Sequence, residues 1–375
     1  MIESASRVAL VAERELEALV GVSSPSGDVA GAEECAALAT AFLPPEAEVE
    51  RPPCSTAGYA PDLCGRLRGS GSKRVLLLGH LDTVVAHAAH RPLERDGDRL
   101  TGSGTIDMKG GVALSLGLMR ELALRPELYR EVAVLLVNDE EWRTSGFAHI
   151  EQFAGFDACL CFEAGERTRE GDEAVIVKRK AAATLRVEAQ GRPAHSGSAP
   201  HRGRNALLAL AAAAERVAAA SDPGGPDRLT AVPTIMRSGD AFNVVPAAGE
   251  LICDLRADRL EAFDPVLAAM PEDYEGVRLD SSLVRAWPGM DSRAATAGLL
   301  AAASERLGRP IVASERGGAS DASHVAAGGI ALTLDGLGPR GGGAHAPHEW
   351  VSAQSLRTRA ELALAVMAAL LEAEA

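Results

Sequence analysis

Three short runs in this chain are continuously apolar, and each one stops at a side chain that can carry charge or hold a cation. VLLLG (75–79) leads into His80, VAVLLVN (132–138) into Asp139, Glu140 and Glu141, and ACLCF (158–162) into Glu163. A short run without polar alternation predicts a strand covered on both faces, the condition of strands in a parallel sheet. Between the first two, MKGGVALSLGLMRELAL predicts a helix, so the unit reads strand, helix, strand. Open sheets of this kind place their sites at the carboxyl edge, so three distant stretches are expected to meet there.

A chain of 375 residues exceeds one ordinary core,. Hydrophobic residues make up 47% of it and aromatics only 3%, so the core is expected to be Ala, Val and Leu on helices and strands. Near residue 180 the pattern changes. TLRVEAQG (184–191) alternates apolar and polar residues as a half-exposed strand does, a helix is expected over 205–220, and two more alternating strands fall in TAVPTIMRSG and GELICDLRAD,. A helix near 260–270 and a strand over 277–284 complete a β-α-β-β-α-β order, that of a small α+β sandwich. From 291 onward the expected order is helix (294–307), strand (310–312), strand (330–334) and helix (355–372). The fold class is therefore α/β, a mixed, largely parallel sheet flanked by helices. One domain is expected from 1–180 and 291–375, and an inserted one from 181–290.

His80 would project from the carboxyl end of its strand. Asp82 lies on the same side of an extended chain and can accept the other ring N–H, fixing the tautomer a metal ligand needs. Asp107 sits in a glycine-rich stretch with Gly102, Gly104, Gly110 and Gly111. It reads either as a helix cap or as a carboxylate on a tight turn able to bridge two cations, while no nucleotide-binding glycine motif is present. Glu140 and Glu141 point in different directions at a strand end, so one can bind metal while the other faces a water. His345, among small residues, is the better ligand of the pair it forms with His348.

These motifs together resemble the M20 family of metallopeptidases, which includes glutamate carboxypeptidases, aminoacylases, succinyl-diaminopimelate desuccinylases and dipeptidases. The resemblance runs from SSPSGD to AHAPHEWV. It implies a zinc-peptidase-like catalytic domain with an inserted lid and dimerisation domain, and a homodimer formed through the latter. By similarity, His80, Asp107 and Glu163 would hold one Zn2+, and Asp107, Glu141 and His345 a second, with Co2+ or Mn2+ as substitutes. Asp82 would orient His80, and Glu140 would be the general base. His195 in GRPAHSGSAP would stabilise the oxyanion in the partner subunit's site. Asn243 and Arg256 would bind the substrate carboxylate, and Ser320 in GGASD would contact substrate. Glu163 stands where aminopeptidase and dipeptidase relatives tend to carry Asp, which leans towards carboxypeptidase or deacylase action.

The expected reaction is amide hydrolysis on a small peptide or N-acyl amino acid, releasing a carboxyl-terminal amino acid. An N-acyl-amino-acid deacylase, desuccinylase or dipeptidase is the rival within the family, and a non-catalytic metal or amino-acid binding protein the rival outside it. With 52 acidic against 38 basic residues, the formal charge of −14 argues against nucleic acid and anionic lipid as partners,. The amino terminus lacks the pattern of an export signal and no apolar run suggests a membrane span, so cytoplasmic residence is expected. The six cysteines are read as reduced and mostly buried, and the basic triplet Lys178, Arg179, Lys180, at the expected domain junction, either as a solvated hinge or as an attractor of an anionic substrate,.

Overall fold

The computed structural model describes residues 2–372; residue 1 and the last three positions of the expected piece 291–375 lie outside it. The chain divides into two compact units, one of residues 1–178, 291–315 and 320–375, the other of residues 179–290 and 316–319.

The first unit is built on a six-stranded sheet ordered Glu48–Glu50, Leu63–Arg68, Glu131–Val137, Arg74–His80, Ala158–Cys161, Thr333–Leu334. The three apolar runs are its central strands. Arg74–His80 lies parallel between Glu131–Val137 and Ala158–Cys161, and Thr333–Leu334 runs parallel to the last of these. Leu63–Arg68 is antiparallel to Glu131–Val137, which makes the sheet mixed. Every residue of Glu131–Val137 is buried, as expected of a strand covered on both faces,. Helices Ala5–Gly21, Gly110–Ala123, Arg293–Leu307 and Ala353–Leu371 pack together on this unit, with Leu16, Leu19, Leu114, Leu118 and Val366 fully buried.

The expected strand over 330–334 shrinks to Thr333–Leu334, because Ile330 instead continues the preceding helix end, its N–H donating to the Val325 carbonyl. A small sheet that the sequence pattern does not predict joins Glu94–Asp96, Arg99–Thr101, Trp350–Ser352 and Gly341–Gly342. Its hairpin turns at Gly97, whose φ of 57° belongs to the left-handed region that glycine adopts without strain,.

In the second unit, strands Thr230–Ser238, Ala248–Ala257, Ala181–Gln190, Val277–Trp287 and Asp273–Tyr274 form an antiparallel sheet in that order. Helix Ala206–Ala219 and the turn-and-helix over 260–268 pack against it. Burial alternates along Ala181–Gln190 and Ala248–Ala257, and the inward set, including Leu185, Val187, Leu251 and Leu255, meets Leu210, Val217 and Phe263. Apart from the additional two-residue strand Asp273–Tyr274, this is the α+β order β-α-β-β-α-β. The basic triplet falls at the boundary between the two units, as expected, but it is not solvated. Lys178 and Arg179 are buried, Arg179 Nη1 donates to the Gly318 carbonyl at 2.9 Å, and Lys180 Nζ to the Arg228 carbonyl at 2.6 Å.

Candidate active site and metal centre

The carboxyl ends of the three central strands are level, with His80 paired to Val137 and Leu78 to Cys161. The residues that succeed each strand therefore emerge at one edge. Asp107 arrives from the loop before helix Gly110–Ala123; it does not cap that helix, whose N-cap is Lys109. The helix start lies hard against the end of Ala158–Cys161, since a Cβ on Gly111 would sit 1.8 Å from the Phe162 carbonyl oxygen. His345 comes from the turn after Gly343, with a φ of 64°.

Asp107 stands between two groups. Its Oδ1 lies 3.1 Å from His80 Nε2, which is also 3.7 Å from Glu163 Oε1. Its Oδ2 lies 3.1 Å from His345 Nε2, which is 3.2 Å from Glu141 Oε2. In each triad the three ligand atoms lie within 4.8 Å of one another. Glu141 Oε1 is buried without a hydrogen-bond partner. A buried carboxylate oxygen left so is costly in a protein interior, and a cation is the ordinary remedy. His348 is exposed and outside the cluster; its carbonyl receives Arg99 Nη2 at 3.2 Å.

Asp82 does more than orient a ring. His80 Nδ1 lies 3.0 Å from the Asp82 carbonyl and 3.3 Å from its carboxylate. A proton donated there leaves Nε2 as the free ligand atom. The Asp82 carboxylate accepts the backbone N–H of both Glu140 and Glu141 at 3.2 Å, which fastens the acidic turn to the His80 strand. Asp139 is fully buried. One oxygen takes Arg143 Nη1 at 2.8 Å and the other takes the Thr56 N–H and hydroxyl at 2.9 and 2.7 Å. Arg143, itself fully buried, also pairs with Asp321. The three consecutive acids are thus an anchored turn and not a solvated one.

Crowded charge shifts the titration of the cluster. Burial pushes the Glu140 carboxyl up to about 7, with Glu141, Asp107 and Asp82 adding to the rise against the pull of His80. Burial also raises Glu163 strongly and Glu141 to a lesser degree. His345 is pushed up to about 10 by hydrogen bonds to Asp107 and Glu141. Burial opposes charge on His80, yet Asp107 and Asp82 carry it well above the usual imidazole range. Burial likewise opposes charge on Asp107, and His345 and His80 outweigh it, holding that carboxyl low,.

His195, Asn243 and Arg256 all belong to the second unit. His195 Nδ1 accepts the N–H of Gly197 and of Ser198, both at 3.1 Å, which leaves the ring proton on Nε2 as an outward donor,. The Asn243 carbonyl receives the Ser196 N–H at 3.0 Å, so Asn243 is a near neighbour of His195. Arg256 Nε and Nη2 are engaged by Asp254 at 3.0 to 3.1 Å. Ser320, expected to contact substrate, lies buried in the first unit. It is 1% exposed and already donates its hydroxyl to Asp335 at 2.6 Å, so it has no free donor to offer.

Sequence reasoning misses Glu349. Its buried carboxylate accepts the backbone N–H of Gly104, Ile106 and Asp107. The signal lies in the strand Trp350–Ser352, which pairs with Arg99–Thr101 and so lays HAPHEW alongside the Asp107 loop.

Comparison with known proteins agrees with this arrangement. Residues 76–369 match the model of peptidase family M20/M25/M40. Carboxypeptidase G2 of Pseudomonas sp. (strain RS-16) is 29% identical over 93% of this chain and 87% of its own. A succinyl-diaminopimelate desuccinylase of Methylobacterium sp. (strain 4-46) is 31% identical over 74% of this chain and 76% of its own. A Staphylococcus aureus tripeptidase of known structure shares the fold, with a TM-score of 0.77 at 18% identity, covering 97% of this chain and 99% of its own. The extent of the family match and the two triads joined at Asp107 lead to one conclusion: this chain belongs to peptidase family M20/M25/M40 and is a hydrolase of the metallopeptidase type.

Proposed function

We propose that this hydrolase uses two divalent cations to cleave an amide bond beside a free carboxylate, releasing a carboxyl-terminal amino acid as a glutamate carboxypeptidase does. One observation carries the reading: Asp107 turns one oxygen to His80 and the other to His345, each within 3.1 Å. In it, His80, Asp107 and Glu163 hold one ion, and Asp107, Glu141 and His345 the other. Three carboxylates and two imidazoles form a borderline donor set that suits Zn2+ and also takes Co2+ or Mn2+. When bound, such a pair of ions lowers the pKa of water and polarises an amide carbonyl.

The remaining steps fall to the chain's own groups. Glu140 belongs to neither triad and is buried beside both, with a carboxyl raised to about 7. That position suits a base which takes a proton from the attacking water and returns it to the leaving nitrogen. The Nε2 proton of His195 is aimed outward by two backbone amides and supplies, in the partner subunit's site, a donor for the developing oxyanion,. Arg256, held against Asp254, offers Nη1 to the substrate carboxylate, with Asn243 as a second polar contact,.

The second unit, in this reading, is a lid and dimerisation domain, roughly the expected 181–290. Its outer strand Thr230–Ser238 carries exposed Val232, Ile235 and Met236 on an unpaired edge. No disulfide joins the six cysteines, and cytoplasmic residence is part of this reading,. Among the described residues no helix is long and apolar enough to cross a membrane.

The relatives named carboxypeptidase G2 and succinyl-diaminopimelate desuccinylase make desuccinylase or deacylase action the second reading. Zinc-loaded protein assayed side by side on folate-like glutamates, N-acyl and N-succinyl amino acids, and dipeptides separates the two. Glutamate release from the first group is expected to be fastest. Turnover of dipeptides alone would count against both, and turnover of nothing would leave a binding protein.

A further inference from the structure

We propose that Glu349 is the positioning residue that aims Asp107, clamping the loop that carries it before any cation arrives. The proposal rests on the reading of Asp107 as the shared ligand. Glu349 is 3% exposed, and its two oxygens collect three backbone donors. Oε2 accepts Gly104 N–H at 2.9 Å, while Oε1 accepts Ile106 N–H at 2.8 Å and Asp107 N–H at 3.0 Å. Gly104 has a φ of 74°, a left-handed residue that turns its own N–H into the same pocket as those of Ile106 and Asp107,. The Glu349 carbonyl also receives the Gly102 N–H at 3.1 Å, so backbone and side chain of one residue grip both ends of the loop.

The chemistry demands a carboxylate. Three N–H groups converge on two oxygens, and only an acceptor with no hydrogen of its own satisfies all of them. Glutamine would turn an NH2 group against at least one of these amides. Aspartate, a methylene shorter, would reach the near donors and lose the far one. Glu349 also lies four residues from His345, and its N–H donates to the Ala346 carbonyl at 3.1 Å, closing the turn between them. A single side chain thereby fixes the bridging carboxylate relative to the imidazole of the second triad. Groups behind metal ligands commonly change affinity about 10- to 100-fold when altered.

Amide hydrogen exchange on the metal-free wild type and on Glu349→Gln is the direct test, joined to Co2+ affinity by chelator competition and to kcat and KM. Protection of Gly104, Ile106 and Asp107 amides is expected in the metal-free wild type and is expected to be lost selectively in Glu349→Gln. Co2+ affinity should fall by about 10- to 100-fold, its visible spectrum should change, and kcat should fall with KM held. Unchanged protection and affinity in a folded Glu349→Gln protein would overturn the proposal. Should that variant not fold, the wild type still decides, because protection that appears only on metal loading would show that the ion and not Glu349 sets the loop. A wild type that binds no cation would sink the functional reading instead, and the exchange pattern of the metal-free protein would still show whether the clamp exists.

Discussion

Glu140 and Glu141 are adjacent in sequence and divide two tasks between them. Glu141 reaches His345 and leaves one oxygen buried and unpartnered, whereas Glu140 belongs to neither ligand triad. Replacing Glu140 should therefore leave the ligands in place and remove the proton carrier. Glu140→Ala is expected to bind Zn2+ as the wild type does and to lose about two to four orders of magnitude in kcat, the usual scale of general acid–base catalysis. Metal content by elemental analysis beside kcat checks both halves, and unchanged turnover would remove Glu140 from the mechanism. At this scale the side chains brought together at Asp107 are readable, because each follows an apolar strand or sits among glycines. Glu349 is not, because it acts on backbone amides, and nothing in a sequence marks which N–H groups a carboxylate will collect. The engagement of the Ser320 hydroxyl by Asp335 is hidden for a related reason, since a short motif does not mark the partner of its side chain.

Elements are legible where their periodicity is unambiguous. The alternation in Ala181–Gln190 and Ala248–Ala257 becomes alternating burial, and Asn205 caps its helix by accepting Leu207 N–H at 3.0 Å. Hairpin Glu94–Thr101 escapes notice although Asp96-Gly97 is a turn signal, because three-residue strands carry too little pattern to register,. Strand Thr230–Ser238 departs from alternation, with most of its residues partly or fully exposed, and a register shift falls between Pro233 and Ile235. Proline is tolerated at a sheet edge since its missing N–H costs no ladder bond there. The strand's apolar exposure, with Ile235 at 41% and Met236 at 39%, is what an edge that pairs with a second copy would show,. Ile235→Lys is expected to shift the protein from dimer to monomer in sedimentation velocity without changing its far-ultraviolet circular dichroism. A wild type that sediments as a monomer would end the dimer reading.

Across the whole molecule the cluster at Asp107 is a concentration of partly buried charge in a chain already at −14, and it links stability to both metal and pH. Without cations, His80, His345, Glu140, Glu141 and Glu163 are all raised above their ordinary values. Groups raised in the folded state hold protons that the unfolded chain gives up, so stability falls as pH climbs through the shifted values. The window opens near the ordinary carboxyl range for the glutamates, passes the value of about 7 for Glu140, and closes at about 10 for His345. Asp107, held low, contributes in the opposite sense, but only at acid pH. Cations need the same ligands deprotonated, so their binding releases protons and tightens as pH rises. An ion that binds only the folded state stabilises it by about 1.4 kcal/mol for each tenfold gain in affinity at saturating concentration. The gap in melting temperature between Zn2+-loaded and chelator-treated protein should therefore be wider at about pH 8 than at about pH 6. Calorimetric titrations in buffers of different ionisation enthalpy should register proton release. A gap that narrows with pH, or binding without proton release, would mean that the imidazoles and carboxylates around Asp107 are not the groups that take the metal.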